Sequence, residues 1–413
     1  MTETQTEATS AEGAELTHRG CPVVHTDYTQ ETEIFGHYAL LDPDREKARF
    51  LFNDTTDRGF FMLQRYDDVR EGFQQHVTWT TDVRSALRPG SSNERLLPQD
   101  LNGQEHVKLR RILNQFFAPA AVRRMEQMAT ERCIELIEEL KPEGSIDFVA
   151  EFAIRYPTDL FLALLGLPVS DGDFFLEWSE DYFNALLAGR PAEATESKKK
   201  IMDYFDQAVN DRRENPLDPD LDMVTRLVTA RIDDQPIPQE DITTICLTLM
   251  LAGLDTTRSA LGYIFAHLAT HPEDRRAITE DPSLVPNAVE EFLRTFPLVI
   301  QAGREVQEPG EFHGLELEKG DVVWLGVAQA NRDPRKFPEP DEVKLDRAGA
   351  NQHLAFGGGP HRCLGMHLAR LELKVVMEEW HKRIPEYQIP DGTELRERGG
   401  QLTMTSLPLE WDV

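Results

Sequence analysis

One helical pattern, running without a break from Pro238 to Ala269, limits the folds available to this chain of 413 residues. Apolar side chains fill its middle section. At 1.5 Å of rise per residue, a helix of about 30 residues is roughly 45–50 Å long, which is enough to cross a whole domain. We therefore expect a fold in which a single long helix crosses the domain from side to side.

The rest of the chain is mostly helical in pattern. Apolar residues recur at helical spacing through much of the segment 121–213, whereas Pro309-Gly310 and Lys319-Gly320 separate short apolar runs that predict hairpin strands over 304–327. We predict one mainly α domain with small β-sheets over 21–413, with strand-rich segments near 35–65, 304–327 and 390–413. Residues 1–20 lack apolar periodicity and predict a flexible tail.

Composition excludes several classes of function. The formal net charge of −29 disfavours binding to nucleic acids and anionic membranes, because both are polyanions. The longest apolar run, 245–254, is far shorter than the ~20 residues of a membrane helix, and the amino terminus lacks the basic start and apolar middle of a secretory signal. We expect a cytoplasmic monomer without a membrane span.

Cysteine spacing excludes two further kinds of site. The chain has four cysteines, far apart and without a C-x-x-C pair: Cys21, Cys133, Cys246 and Cys363. This spacing argues against both a disulfide framework and an iron–sulfur cluster. The glycines at 357–359 do not open a βαβ unit, so no flavin or nicotinamide site is predicted either.

The segment 356–365, with the sequence FGGGPHRCLG, carries the clearest chemical signal. It places Cys363 at the start of a helical pattern, where free backbone N–H groups and the helix dipole favour an anion. Arg362 adds positive charge, so we expect the thiol to lose its proton readily and to bind a metal. The glycines let the backbone approach a flat cofactor, and together with Phe356 they suit haem.

Two other interpretations of this cysteine stay open from the residues alone. Cys363 could be a buried structural cysteine beside a glycine turn, or it could bind zinc together with His361 and His367. Zinc fits poorly, because a structural site needs four ligands and only three candidates cluster here.

The segment matches F-G-x-G-x-H-x-C-x-G, the signature of the cytochrome P450 family, and the chain resembles that family from about residue 35 onward. The resemblance implies a P450 fold that holds haem b between the long helix and the cysteine loop, with Cys363 as the axial thiolate. It also implies cofactor contacts from ten further residues: His106, Arg110, Ala252, Gly253, Arg304, His353, Phe356, Gly357, His361 and Gly365.

The middle of the long helix, AGLDTT over 252–257, resembles the family's oxygen-activation motif. By resemblance, Asp255 and Thr256 relay protons to bound oxygen. The alternative is structural: Thr256 bonds back to the preceding helical turn and Asp255 faces solvent.

An E-x-x-R pattern and two further sets of residues complete the predicted site. Glu291 and Arg294 lie three apart on one helix, a spacing that is common on solvated helices. Their distance before the cysteine resembles the family's, and the resemblance implies a buried structural ion network with Arg347 as third partner. By family position, the substrate pocket is predicted to be lined by Leu96, Leu97, Thr248, Leu251, Ala252, Leu298, Val299, Ile300 and Met404. Basic residues are predicted near the cysteine side at Lys108, Arg110, Arg111, Arg123, Arg124, Arg362 and Arg370.

The implied activity is insertion of one oxygen atom of O₂ into a C–H bond of a small apolar substrate, such as a terpenoid, steroid, fatty acid or natural-product intermediate. Electrons are expected from an acidic ferredoxin and its reductase, because the chain shows no redox centre besides the haem site. Peroxide-driven oxygenation, nitric oxide reduction and a non-enzymatic haem sensor are the alternatives.

Overall fold

A computed structural model describes residues 16–82, 95–187 and 190–413. Within these ranges the helices are α1 (Gly36–Arg45), α2 (Tyr66–Gly72), α3 (Gly103–Phe117), α4 (Pro119–Leu140), α5 (Arg155–Leu165), α6 (Gly172–Leu187), α7 (Pro191–Glu214), α8 (Met223–Thr229), α9 (Gln239–Thr270), α10 (Pro272–Glu280), α11 (Val285–Thr295), α12 (Val327–Asn331) and α13 (Met366–Arg383). The predicted mainly α fold with small sheets is confirmed.

The strands are short. They are β1 (Thr17–His18), β2 (Cys21–Val24), β3 (Glu31–Glu33), β4 (Phe50–Asn53), β5 (Phe60–Leu63), β6 (Trp79–Thr80), β7 (Ser145–Asp147), β8 (Arg231–Ile232), β9 (Gln235–Pro236), β10 (Gln301–Val306), β11 (Gly310–Phe312), β12 (Leu315–Leu317), β13 (Val322–Gly326), β14 (Arg396–Arg398) and β15 (Pro408–Glu410). One sheet has the order β1-β2-β4-β5-β13-β10-β6, and the remaining pairs are β11-β12, β14-β3, β15-β7 and β8-β9.

Helix α9 is the predicted long helix. It begins and ends one residue later than predicted. Glu240 and Asp241 lie in its first turn, where carboxylates stabilise the positive end of the helix dipole. His271 and Pro272 follow its last residue, and the proline prevents the helix from continuing. Most of its side chains are buried because it packs against α5, α7, α8, α10 and α13.

The core beside α9 and α13 is aromatic. Trp380 of α13 has no exposed surface and meets the rings of Phe148, Phe152 and Phe265 edge-on, at centroid distances of 5.0, 5.2 and 5.5 Å. Buried edge-to-face pairs add to the stability that comes from burying their area. This cluster fixes α13, and so the loop that precedes it, against α9.

The structure differs from the sequence-based expectations at four places. Helix α1 interrupts the strand-rich segment predicted near 35–65. Helical spacing of apolar residues over 150–165 predicts a single helix, but the structure has a wide turn, Phe148–Ala153, followed by α5. The Asp147 carboxylate accepts hydrogen bonds from the N–H groups of Val149 and Ala150 at the start of the turn. Strand β1 lies within the predicted tail of residues 1–20. At the end of the strand-rich segment predicted near 390–413, β15 is the regular strand within 402–413.

No helix in the described ranges is long and apolar enough to cross a membrane.

Candidate active site

The cysteine loop is shaped by two glycines with left-handed backbone. Gly357 and Gly359 both have φ of +64°, a conformation that side chains disfavour. A Cβ at Gly359 would lie 2.3 Å from the carbonyl oxygen of Phe73, so no larger residue fits there. The Cys363 N–H donates to the Phe356 carbonyl at 2.9 Å, which closes the loop just before α13 begins.

The Cys363 side chain is exposed, yet burial raises the pKa of its thiol above the ordinary value. The sulfur therefore faces an interior space rather than the outer surface. A hydrogen bond from the Gly365 amide and the charges of Arg110, Arg370 and Arg362 act in the opposite direction but do not prevail. The expectation of an easily ionised thiol is wrong for the free side chain, because loss of water outweighs the helix terminus. A metal cation deprotonates a coordinating thiol outright.

Four basic side chains beside this loop lie close together without acidic partners. The rings of His106 and His361 stack at 3.9 Å, and the Arg110 guanidinium donates to the Arg362 carbonyl at 2.7 Å. Arg304 is 7% exposed and donates to the Gly303 carbonyl at 2.7 Å. Across the described ranges, no carboxylate forms an ion pair with any of the four.

The pKa values of these basic side chains are lowered, as expected for groups without an acidic partner among the described residues. Burial lowers the pKa of Arg304 to about 10, that of His106 to about 4 and that of His361 to about 3. Buried cations are normally paired, and their pKa falls when they are not. A group carrying two carboxylates would supply the missing charge, so these residues fit the propionates of haem.

His353, predicted as a haem contact, has a different environment. One ring nitrogen lies 3.2 Å from the Glu290 carboxylate, and the other accepts from the Ala355 N–H at 3.1 Å. Arg370 binds the same carboxylate at 2.6 and 2.8 Å and lies over the Phe356 ring. Burial opposes ionisation of Glu290, but the hydrogen bonds from Arg370 and His353 lower its pKa to about 2. Both His353 nitrogens are thus engaged by protein, and this cluster positions the start of the cysteine loop.

Helix α9 turns an exposed face toward an interior space at the predicted motif. Ala252 is exposed and Thr256, one turn on, is half-exposed, although Leu254, Asp255 and Thr257 are buried. The Thr256 hydroxyl donates to the Ala252 carbonyl at 2.7 Å, as the structural alternative predicted. Asp255 does not face solvent: it is 7% exposed and bound to other side chains. Phe161 is 3.8 Å from the position of a Cβ at Gly253, so alanine would fit there.

The space between α9 and the cysteine loop follows from where two helices touch. The Thr257 hydroxyl hydrogen-bonds to the Glu372 side chain of α13. Glu372 lies nine residues beyond Cys363, or ~13 Å along a helix, and Ala252 lies about 8 Å before Thr257 on α9. The helices touch at Thr257 and Glu372, whereas Ala252 and Cys363, each at a distance from that contact along the chain, are both exposed. A flat cofactor between them would contact both.

The structure brings the E-x-x-R residues together. Glu291, Arg294 and Arg347 are all buried. Arg294 donates to both carboxylate oxygens of Glu291 at 2.8 Å, and Arg347 donates to them at 2.9 and 3.0 Å. Both guanidinium groups also donate to backbone carbonyls of 331–342. This network fixes α11 to the segment that leads into the cysteine loop.

The predicted pocket residues divide by exposure. Val299 is 36% exposed and Leu96 and Leu251 are partly exposed, whereas Leu97, Thr248 and Leu298 are nearly buried. Ile300 and Met404 have no exposed surface, and Met404 packs against Gly262, well beyond Thr256 on α9. The Pro/Gly/Ser-rich segment 88–99 predicts a loop that could cover a ligand, and up to position 94 it lies outside the described residues.

Several side chains at the site were not predicted. Arg258 and Gln401 both bind the Asp255 carboxylate, and Glu290 holds the cysteine loop. Arg258, at i+3 from an acid, could have been found from helix spacing. Gln401 and Glu290 could not, because each reaches its partner from a distant part of the chain.

The basic residues predicted near the cysteine side have two kinds of environment. Lys108 pairs with Asp233 at 2.5 Å, and Arg370 pairs with Glu290. Arg111, Arg123, Arg124 and Arg362 are exposed, and none forms an ion pair within the described part of the chain. They lie on α3, α4 and the cysteine loop, and α3, α4 and α13 contact one another.

Comparison with known proteins gives one consistent result. A family model described as cytochrome P450 matches residues 180–380. The mycinamicin IV hydroxylase/epoxidase of Micromonospora griseorubida is 32% identical, over 85% of this chain and 89% of that protein. The vitamin D(3) 25-hydroxylase of Pseudonocardia autotrophica is also 32% identical, over 86% and 87%.

Solved structures agree with the sequence relatives. The crystal structure of cytochrome P450 CYP101C1 superposes with a TM-score of 0.84 at 28% identity, covering 96% of this chain and 100% of that chain. A mutant of P450 EryK in complex with erythromycin B gives a TM-score of 0.80 at 28% identity, covering 91% and 96%.

Proposed function

Because this chain belongs to the cytochrome P450 family and is a haem-dependent monooxygenase, we propose that it hydroxylates a small apolar substrate with electrons from an acidic ferredoxin. The observation that carries the cofactor assignment is a basic cluster beside Cys363 that forms no ion pair with an acid among the described residues. It consists of the buried His106 and Arg304 and the half-buried Arg110 and His361. When bound there, haem supplies activation of O₂ and insertion of one oxygen atom into a C–H bond.

Each part of the site has a separate task in this proposal. Cys363 would hold the haem iron through its thiolate, which would supply electron density for O₂ activation, and the Gly365 amide donates to its sulfur. Arg110 and Arg304 would neutralise the propionates, and His106 and His361 would donate hydrogen bonds to them. The Thr256 hydroxyl donates to Ala252, at the exposed face of α9, and can pass a proton towards the cofactor. Asp255 supplies that proton from its buried position next along the helix.

The substrate pocket is proposed to lie above the exposed face of α9. Ala252, Leu251, Leu96 and Val299 offer aliphatic surface there, and apolar walls select apolar ligands. Two relatives are named for acting on mycinamicin IV and vitamin D(3), which supports a macrolide-like or steroid-like compound. These walls also exclude water, which strengthens the electrostatic interactions around Asp255 and Thr256.

The ferredoxin is proposed to dock on Arg111, Arg123, Arg124 and Arg362. Four exposed arginines on neighbouring elements, without an ion pair among the described residues, are unexpected in a chain of net charge −29, and they suit an acidic partner. A cytoplasmic location is proposed as well, because Cys21, Cys133 and Cys246 are buried free thiols and no disulfide forms among the described residues.

The test begins with the absorption spectrum of the reduced protein with carbon monoxide. A strongly red-shifted Soret band is expected, and the Cys363→His variant should bind haem without that shift. A compound panel that includes macrolides and steroids would then be screened for a spin-state change of the ferric protein.

Each compound that binds would be incubated with a ferredoxin, its reductase and O₂, and separately with hydrogen peroxide. Hydroxylated product is expected in the first incubation and should be reduced in Thr256→Ala. Product formed with peroxide but never with ferredoxin and O₂ would overturn the proposed electron supply and favour a peroxygenase.

A further inference from the structure

The Asp255 carboxylate is held by side chains from two separate parts of the chain. One oxygen pairs with the Arg258 guanidinium on the same helix. The other accepts from the Gln401 amide at 2.7 Å and from the Thr403 hydroxyl at 3.4 Å. Both oxygens are therefore engaged by side chains other than Thr256, whose hydroxyl donates to the Ala252 carbonyl instead.

Arg258 serves this carboxylate specifically. Its guanidinium is mostly buried, with 12% of the side chain exposed, and its Nε lies buried without a hydrogen-bond partner. Within the residues that the structure describes, Asp255 is its acidic partner. Arg258 alone would neutralise the acid, so the amide of Gln401 is not needed for charge balance.

Gln401 also belongs to a loop that is bonded to the predicted pocket wall. Gln401 forms an isolated antiparallel bridge with Val299, and the N–H of the next residue, Leu402, donates to the Leu298 carbonyl at 2.8 Å. The residue that holds Asp255 thus shares its backbone pairing with two residues proposed to touch substrate. A shift of that wall would move Gln401 relative to α9.

We propose that Gln401 is a positioning residue that keeps the Asp255 carboxylate turned away from Thr256 until a ligand displaces the 298–299 wall. To relay a proton towards Thr256, the Asp255 carboxylate must break its hydrogen bond to Gln401, rotate about its side chain and accept a proton from solvent, which it then passes on. The proton passed on is replaced from solvent, so no net charge accumulates. The inference rests on the proposed relay role of Asp255, and it adds a control that links pocket occupancy to proton supply.

The experiment measures wasteful turnover in the haem-loaded protein without added substrate. NADH, a ferredoxin and its reductase supply electrons, and the release of hydrogen peroxide consumes two electrons and two protons per O₂. The variants are Gln401→Ala, Asp255→Asn, the double variant, and Thr405→Ala as a matched control on the same loop, where the side chain is exposed. Rates are compared in H₂O and D₂O.

Gln401→Ala should raise peroxide release about tenfold and lower the solvent isotope effect, as expected when one hydrogen bond to a charged group no longer restrains the acid. Thr405→Ala should match the parent protein. In the Asp255→Asn background the Gln401 substitution should have no further effect, because the two residues act in series.

A readout independent of turnover is the C–O stretching frequency of the reduced carbon monoxide complex, which senses polar groups on the α9 side. It should move in Gln401→Ala and stay fixed in Thr405→Ala. Equal rates, isotope effects and frequencies in Gln401→Ala and the parent would overturn the inference. So would an effect of Gln401→Ala that persists undiminished without Asp255. If Asp255→Asn itself behaves like the parent, the proposed relay role is wrong.

Discussion

Two clusters of buried charge in this protein differ in how their charges are paired. In the first, Glu291 lies between Arg294 and Arg347, and backbone carbonyls take up the remaining donors. In the second, Arg304 and its neighbours His106, Arg110 and His361 have no acid among the described residues. Charges balanced within the protein stabilise its framework, whereas buried charges left unbalanced indicate a ligand of opposite sign.

Arg294→Met should give the largest effect, because it opens the balanced cluster. Removing one partner of a buried ion pair costs about 3–5 kcal/mol, since the remaining charge stays buried. Urea unfolding should show this loss with and without haem. Arg70→Met is the control: Arg70 pairs with Asp67 at 3.1 Å but is 62% exposed, and such pairs contribute roughly 0–1 kcal/mol. A loss below 1 kcal/mol for Arg294→Met would contradict the structural role.

Glu372→Gln tests whether a buried acid without a cationic partner in the described residues also lowers the free energy of unfolding. Burial raises the pKa of Glu372 to about 8, although the Thr257 hydroxyl opposes the shift. As pH rises from the ordinary value of 4.5 to 8, the unfolded chain releases this proton and the folded protein retains it, so the folded state loses stability. Glutamine removes that loss.

The variant should therefore match the parent below pH 4.5 and exceed it by an amount on the order of 5 kcal/mol above pH 8. Denaturant unfolding across this pH range measures the difference. A constant difference between the two proteins at all pH values would show that Glu372 keeps its proton or its charge in both states.

Arg304→Met should act in opposite directions on the two forms of the protein. Burial without an acid lowers the Arg304 pKa to about 10, so removing the guanidinium should stabilise the haem-free protein by about 1–3 kcal/mol. Haem binding should weaken about tenfold, through loss of one charge-assisted hydrogen bond. Unfolding of the haem-free form and transfer of haem to an acceptor protein measure the two effects. Destabilisation of both forms would place Arg304 with the framework.

The same contrast explains what the sequence predicted and what it did not. The sequence predicted both the central helix and the cysteine loop, because each depends on a local pattern. The helix shows apolar periodicity, and the loop shows glycines around Cys363. The direction of the Cys363 pKa was wrong because desolvation depends on the packed surroundings and not on the helix terminus alone. Gln401 reaches Asp255 across 146 positions, and His353 reaches Glu290 across 63, so neither contact leaves a periodic signal.

The same comparison applies to the exposed arginines proposed to bind ferredoxin. They have no acidic partner among the described residues, and the acid that pairs with them would belong to another protein. Arg111→Glu and Arg124→Glu should slow the first electron transfer from an acidic ferredoxin about tenfold at low ionic strength, because reversed charges repel the incoming partner. The difference should shrink in high salt, since exposed charges are screened within about 10 Å at 0.1 M. Stopped-flow reduction at several salt concentrations measures it. Arg213→Glu, exposed on α7, makes the same charge change on a helix away from α3 and α4, and it should leave the rate unchanged. Equal slowing by all three variants would mean that net charge alone sets the rate and that the cysteine side is not the docking face.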